Sequence, residues 1–201
     1  IQSENDAGDV LGQPDLQSPE SSQDYRLRVG FDSVLFRDTF NATTQNTGLW
    51  AYAFATMTAA QPGAGTVNFG AVQGTANGHG AFLRTWRYFP VIGTAPLAVE
   101  FTAGVFGAQL VANETWAMGL GLPGGAGTLP TDGVFLRLTS SGWELVARYN
   151  STEVSSGVVF PAASITLNDL QKFVIIAGEQ EVSVWRNDAL LHRMTVPAAQ
   201  G

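Results

Sequence analysis

The chain has 201 residues, of which 45% are hydrophobic and 13% charged, with a formal net charge of −7. This composition suits one globular domain plus a tail and is too apolar for a disordered chain. The lack of cysteine excludes a disulfide framework, a thiol nucleophile and a cysteine-ligated metal site.

Residues 1–24 are predicted to form an extended acidic arm. The segment contains Pro14 and Pro19, no Lys or Arg, and six of the 17 acidic residues, and it offers nothing to build a core. Its acids are Glu4, Asp6, Asp9, Asp15, Glu20 and Asp24. We expect this arm to become ordered by lying across a partner, its acids meeting a basic surface; the alternative is a solvated tail.

Residues 25–201 are predicted to form a β-sandwich domain. From Arg26 onwards, short β-prone runs alternate with turn sequences rich in Gly, Pro, Asn and Ser, as in an antiparallel sandwich or jelly roll. The eleven clearest runs are residues 33–40, 49–57, 66–72, 80–89, 97–106, 115–122, 133–139, 143–150, 172–178, 182–187 and 190–196. "SITLNDLQKF" (164–173) is the best place for a single helical turn.

Two hairpins can be predicted in detail. "SSG" at 140–142 joins two alternating runs, which place Val134, Leu136 and Leu138 on one face with Trp143, Leu145, Ala147 and Tyr149. The opposite face is then a mixture of apolar and charged side chains, namely Phe135, Arg137, Glu144, Val146 and Arg148. Asn187 and Asp188 suit a two-residue turn between the last two runs, because both residue types tolerate positive φ.

Charge and apolar patterning exclude two classes of partner. Outside the arm, 11 acidic residues stand against 10 basic ones, and no basic patch for nucleic acid is visible. No apolar run approaches the roughly 20 residues of a membrane span. The N-terminus lacks the regions of a signal peptide and begins with Ile, so we expect part of a longer or processed product.

The sequence contains no catalytic signature, and we predict that the protein is not an enzyme and needs no cofactor or metal. His79 and His192 are too isolated for a triad or metal site. A sandwich glycosidase would need two facing carboxylates, for which the acids outside the arm are Glu100, Glu114, Glu144 and Glu153, with Glu100 and Glu144 the first to test. The carboxylates considered for a Ca²⁺ site, without an Asp-x-Asp cluster, are Asp32, Asp38 and Asp132.

Aromatic residues leave carbohydrate binding as an alternative. All five tryptophans lie in predicted strands, where an aromatic side chain more often belongs to the core than to a binding surface. Trp86 and Trp116 are the candidate sugar contacts.

Several blocks of the sequence resemble tailed-bacteriophage structural proteins. "DYRLRVGFDSVLFRDTFNATTQNTGLW" is similar to their opening, and the similarity continues through "TMT", "TWRYFPVIGTAPLAVEFTAGV", "LPTDGVFLRLTSSG" and "YNSTEVSSGV". It ends in "EVSVWRNDALLHRMTVP", which resembles a hairpin of concanavalin-like (laminin-G-like) sandwiches. The resemblance covers roughly residues 24–197.

This resemblance implies a concanavalin-like jelly roll in a virion protein that is assembled in the host cytoplasm. The expected function is a homo-oligomeric head decoration (cement) protein that binds the major capsid protein or other virion proteins. The alternative is a carbohydrate-binding or host-adhesion module of a head or tail fibre. No catalytic residues carry over, and the resemblance implies further strands after the Met-Thr-Val-Pro segment.

Overall fold

The computed structural model describes residues 35–40, 44, 46–55, 61–63, 65–69, 80–87, 89, 96–122, 124, 128–150, 152–178 and 180–196. The chain divides into two compact units, Ile1–Asp38 and Thr39–Gly201. The predicted arm and its boundary after residue 24 lie outside the described residues. Within those ranges, no helix is long and apolar enough to cross a bilayer.

Where the structure describes it, the second unit is built of β-strands, and all of these strands pair antiparallel. One four-stranded sheet has the order β12 (Ala189–Thr195), β11 (Glu181–Arg186), β10 (Gln171–Ala177) and β5 (Leu97–Ala103). The other has the order β6 (Trp116–Leu122), β7 (Asp132–Thr139), β8 (Gly142–Tyr149) and β9 (Thr152–Pro161). Two small two-stranded sheets pair β1 (Trp50–Ala55) with β4 (Gly80–Thr85), and β2 (Gln61–Gly63) with β3 (Thr66–Asn68).

One hydrophobic core joins the two four-stranded sheets. Its fully buried members alternate along β7, β8, β10 and β11, because successive side chains of a strand point to opposite faces. The ring of Trp143, from one sheet, lies 5.1 Å from that of Phe173, from the other. The guanidinium of Arg186 lies 3.9 Å from the ring centroid of Phe160, which also links the sheets. This shared core gives the unit its β-sandwich character.

Both predicted hairpins are confirmed. Leu136 pairs with Leu145 and Leu138 with Trp143, so the predicted apolar face is the core face of the β7–β8 hairpin. Asn187 and Asp188 connect β11 to β12 with φ of 46° and 68°, the left-handed conformation for which their short polar side chains are suited.

Strand β9 carries a bulge near its middle. Ser155 pairs with Val146 and Val158 with Glu144, so Ser156 and Gly157 together lie opposite the single residue Leu145. The N–H of Leu145 donates to Oγ of Ser156 at 2.9 Å. This strand was not among the predicted runs; its "SSG" at 155–157 repeats the turn sequence found at 140–142.

Two further predictions need correction. The described part of the run 33–40, residues 35–40, has no strand. The helical turn lies at Ala162–Ser164, where it follows Pro161, and not across 164–173. In the latter segment Asn168, at φ 63°, makes a turn instead, and its N–H donates to the carbonyl of Val105.

Candidate functional site

The most extensive charged cluster in the described residues lies on the outer face of the β6–β9 sheet. Glu144 accepts from Nη2 of Arg137 at 3.0 Å and from Oγ of Ser155 at 2.7 Å. Nη1 of Arg137 lies 2.9 Å from Glu153, and Nε of Arg148 lies 3.3 Å from the same carboxylate. We call these five residues the ionic cluster.

The ionic cluster follows from the strand register. Arg137 pairs directly with Glu144 across β7 and β8, and Arg148 pairs with Glu153 across β8 and β9. Opposite charges on facing residues of adjacent antiparallel strands lie within contact distance. Between these two rows lie Phe135, 1% exposed, and Val146, fully buried, so this face is mixed, as predicted.

The opposite charges within the ionic cluster stabilise one another. Burial lowers the pKa of Arg137, but the hydrogen bonds to Glu144 and Glu153 and their negative charges outweigh it, so the pKa is raised above its ordinary value. The Arg137 side chain is 16% exposed and that of Glu144 is 14% exposed, so solvent screens their attraction only in part. Both carboxylates are thus held as acceptors for arginine.

The other acids considered for a glycosidase pair are dispersed. Glu100 lies on β5, opposite Val174, on the outer face of the other sheet, 3.7 Å from Nζ of Lys172. The core therefore separates it from Glu144. Glu114 accepts from the N–H of Val111 at 2.7 Å and closes a turn.

Trp86 is the most exposed tryptophan among the described residues. It is 56% exposed and follows β4. Its indole N–H donates to the carbonyl of Thr47 at 2.9 Å, and its backbone N–H donates to the carbonyl of Leu49. The guanidinium of Arg84 lies 5.8 Å from its ring centroid. The ring is therefore fixed in orientation while more than half its surface faces solvent.

Trp116 has a different environment. It packs against the core and meets the ring of Phe69 edge-on, with centroids 6.2 Å apart. Trp143 is 3% exposed and belongs to the core, as expected for a tryptophan in a strand. Of the two predicted sugar contacts, only Trp86 presents a broad surface.

An apolar surface also lies where β5 and β10 meet the loops at one end of the sandwich. Phe106 is 60% exposed and Leu170 is 50% exposed. A Cβ placed on Gly104 would lie 3.2 Å from the Phe106 ring and 2.4 Å from the carbonyl oxygen of Asp169, which precedes Leu170. We call Phe106 and Leu170 the end surface. The sequence placed Phe106 in a strand and gave no sign of this surface.

Hydrogen bonds fix the backbone of the end surface. Oδ1 of Asn168 accepts from the N–H of Gly107 at 3.1 Å, and the N–H of Asn168 donates to the carbonyl of Val105 at 2.8 Å. The segments that carry Phe106 and Leu170 are thus bonded to each other. A contact surface held in this way loses little conformational entropy on binding.

The remaining predicted site residues are dispersed or lie outside the described ranges. The six arm acids, His79 and Asp32 are outside. His192 lies partly buried on β12, and a carboxylate oxygen of Asp132 accepts from the N–H of Asn150. Among the residues that the structure describes, no three or more His, Asp or Glu side chains cluster as metal ligands would.

Comparison with known proteins places the chain in no family. No protein-family model matches it, and neither a curated protein nor a solved structure is significantly similar.

Proposed function

We propose that this chain is a non-enzymatic structural protein of a tailed-bacteriophage virion. In this proposal it is a concanavalin-like jelly roll that decorates the head as a cement protein. It is assembled in the host cytoplasm, forms homo-oligomers and binds the major capsid protein or another virion protein. The observation that carries the proposal is the end surface, where Phe106 and Leu170 are 60% and 50% exposed on loops bonded to each other.

The ionic cluster supports the non-enzymatic part of this proposal. Glu144 and Glu153 both contact Arg137. This arrangement stabilises a sheet face, and each carboxylate has an arginine partner.

The end surface suits a contact with another protein, because large apolar side chains exposed on a rigid backbone are typical of the centre of a protein interface. The sequence resemblance is the reason for proposing a virion protein. The acidic arm of residues 1–24 would become ordered on the particle and form a second contact with it.

Particle composition tests this function. Particles purified from lysed host cells that carry the gene are expected to contain the chain in a fixed ratio to the major capsid protein, measured by quantitative mass spectrometry. Recombinant chain should also rebind particles that lack it. A chain confined to the particle-free fraction, with no rebinding, would contradict the proposal.

Two variants locate the contact. Phe106→Ser is expected to weaken rebinding about tenfold or more, because truncation of a central aromatic commonly costs over about 1.4 kcal/mol. Leu122→Ser is the matched control, since Leu122 is 49% exposed on β6. Deleting residues 1–24 should weaken rebinding as well, and unchanged affinity would eliminate the role of the arm.

Trp86 favours a second candidate function, a carbohydrate-binding module of a phage head or tail fibre. An aromatic ring that is 56% exposed and held by its indole N–H offers a flat face on which a sugar ring can stack. A glycan array with the purified chain tests this function. Trp86→Ala should abolish binding, whereas Phe106→Ala should leave it unchanged. An array without any signal would dismiss this candidate.

A further inference from the structure

Charge is distributed unevenly along the chain, and one long segment is positive. Residues 39–99 contain Arg84 and Arg87 as their only Asp, Glu, Lys or Arg residues, whereas all 17 acidic residues of the chain lie outside this segment. The segment includes the paired strands β1 and β4 and the exposed Trp86 that follows β4. A protein with a formal net charge of −7 thus has one segment whose own charge favours an anion.

Both arginines of this segment are close to Trp86 in the chain. The guanidinium of Arg84 lies over the Trp86 ring, 5.8 Å from its centroid. Arg87 is exposed and follows Trp86 directly, so their Cα atoms are about 3.8 Å apart. A ring that is 56% exposed therefore has one guanidinium over it and a second on the next residue.

Hydrogen bonds fix the backbone on both sides of the Trp86 ring. Oγ1 of Thr85 donates to the carbonyl of Arg87 at 2.6 Å, which holds the bend after β4. The carbonyl of Thr47 accepts from the indole N–H of Trp86, and Thr47 is itself exposed. The carbonyl of Asn46 accepts from two backbone N–H groups, at 3.0 and 3.1 Å, and so closes the turn that carries Thr47. A site held in this way loses little conformational entropy on binding.

We infer that Trp86 and Arg87 bind a saccharide ring that carries a carboxylate, as uronic and sialic acids do. The exposed part of the indole provides a flat surface for the apolar face of the sugar. The guanidinium of Arg87 provides a planar fork of N–H donors that matches the two oxygens of a carboxylate. The hydroxyl of Thr47, beside the indole, can bond a sugar hydroxyl.

The groups near the ring select an acidic sugar over other ligands. The hydroxyls of a neutral sugar both donate and accept hydrogen bonds, whereas a carboxylate only accepts them. Residues 39–99 contain no Asp or Glu to accept from hydroxyls, and arginine only donates. Two arginines neutralise too few phosphates for tight nucleic-acid binding. The inference rests on the second candidate function, carbohydrate binding, and adds the charge of the ligand.

Binding of matched sugar pairs by the full chain tests the inference. Each pair consists of an acidic sugar and its neutral counterpart: polyglucuronic acid with its carboxyl-reduced form, and sialyllactose with lactose. We expect the acidic member of at least one pair to bind about tenfold or more tightly than the neutral one. The two pairs distinguish a uronic acid from a sialic acid. Added salt should weaken binding of the acidic member alone.

Three variants separate the two contacts. Arg87→Gln, at an exposed position, should reduce the affinity for the acidic sugar to that for its neutral counterpart. Trp86→Ala should abolish binding of both members of the pair. Arg193→Gln is the matched control, because Arg193 on β12 is 53% exposed and the change removes the same charge from another sheet. It should leave both affinities unchanged.

Each contrary result has a defined meaning. Equal affinity for the acidic and neutral members would overturn the inference and leave carbohydrate binding intact, whereas no binding to any sugar would overturn both. Equal losses for Arg87→Gln and Arg193→Gln would show attraction by overall charge and would also overturn it. Tighter binding of oligo(dT) than of the acidic sugars would assign the ring to nucleobases instead.

Discussion

Replacing Glu144 by Gln removes one negative charge from the ionic cluster and keeps the shape of the side chain. Glu144 accepts from Arg137 at 3.0 Å and from Ser155 at 2.7 Å, and its side chain is 14% exposed. The variant retains a side-chain oxygen that can still accept hydrogen bonds, but this oxygen carries no negative charge. Arg137 retains Glu153, so the change weakens the cluster without abolishing it.

The expected loss lies between two known limits. Exposed ion pairs contribute about 0.2–1 kcal/mol, whereas breaking a fully buried pair costs about 3–5 kcal/mol. Because this pair is mostly but not fully buried and Arg137 retains a partner, we expect the free energy of unfolding to fall by about 1–2 kcal/mol. For a domain of this size, that corresponds to a fall in Tm of about 2–8 °C.

Urea unfolding followed by tryptophan fluorescence measures this loss, since Trp143 is 3% exposed and reports on the core. Glu181→Gln is the matched control: its partner Arg193 lies 3.6 Å away, both side chains are 53% exposed, and the loss should stay within about 0.5 kcal/mol. Dilute protein keeps self-association out of the comparison. Equal losses for the two variants, or a more stable Glu144→Gln protein, would refute the reasoning.

Three further predictions concern glycine conformation in the strands, packing in the core and the charge of Lys172. Gly142→Ala is expected to lower stability by about 3 kcal/mol or more, because φ is +133° and the new Cβ would lie 2.3 Å from a carbonyl oxygen of β9. Gly157→Ala, at φ +68° in open space, should cost only about 1–2 kcal/mol, and a reversed order in urea unfolding would be inconsistent with these conformations. Phe173→Ala should cost about 3–5 kcal/mol in the same assay, since this ring is fully buried between the sheets; a loss below about 1 kcal/mol would argue against a shared core. The hydrogen bond to Asp188 raises the pKa of Lys172 above its ordinary value. The pair therefore stabilises the fold fully at pH values below the ordinary lysine pKa, and this stabilisation is lost as the pH rises through the raised pKa. An NMR titration of Asp188→Asn should show a lower Lys172 pKa, and an unchanged value would exclude the bond.

The sequence predicted the fold best where local chemistry and alternation agree. The β7–β8 hairpin follows from alternating apolar residues, and the last turn follows from Asn187 and Asp188, which adopt the positive φ values their side chains tolerate. Strand β9 escaped prediction because its exposed residues lack alternation and because its bulge contains the turn-like "SSG". Neighbouring strands decide its conformation, and they are distant in sequence.

Candidate sites were harder to predict because they depend on which strands meet. The ionic cluster joins residues of β7, β8 and β9. Because β9 was not predicted, the sequence did not show that Glu153 and Ser155 lie beside β8. For Trp86 the sequence leaves both core packing and sugar contact open; the residue lies just beyond the end of β4 and is 56% exposed. The composition of a strand does not show whether an aromatic ring packs into the core or lies exposed to solvent beyond the end of the strand.

The bulge of β9 has a consequence for crowded solutions. The N–H of Gly157 donates to Oγ of Ser155, and its carbonyl accepts from Oγ of Ser156, so both backbone groups of Gly157 are occupied within the strand. A second molecule that tried to add a strand at this edge would meet a gap in the hydrogen-bonding ladder where the strand bends. Addition of further strands along this edge, the first step of fibre growth, is therefore disfavoured.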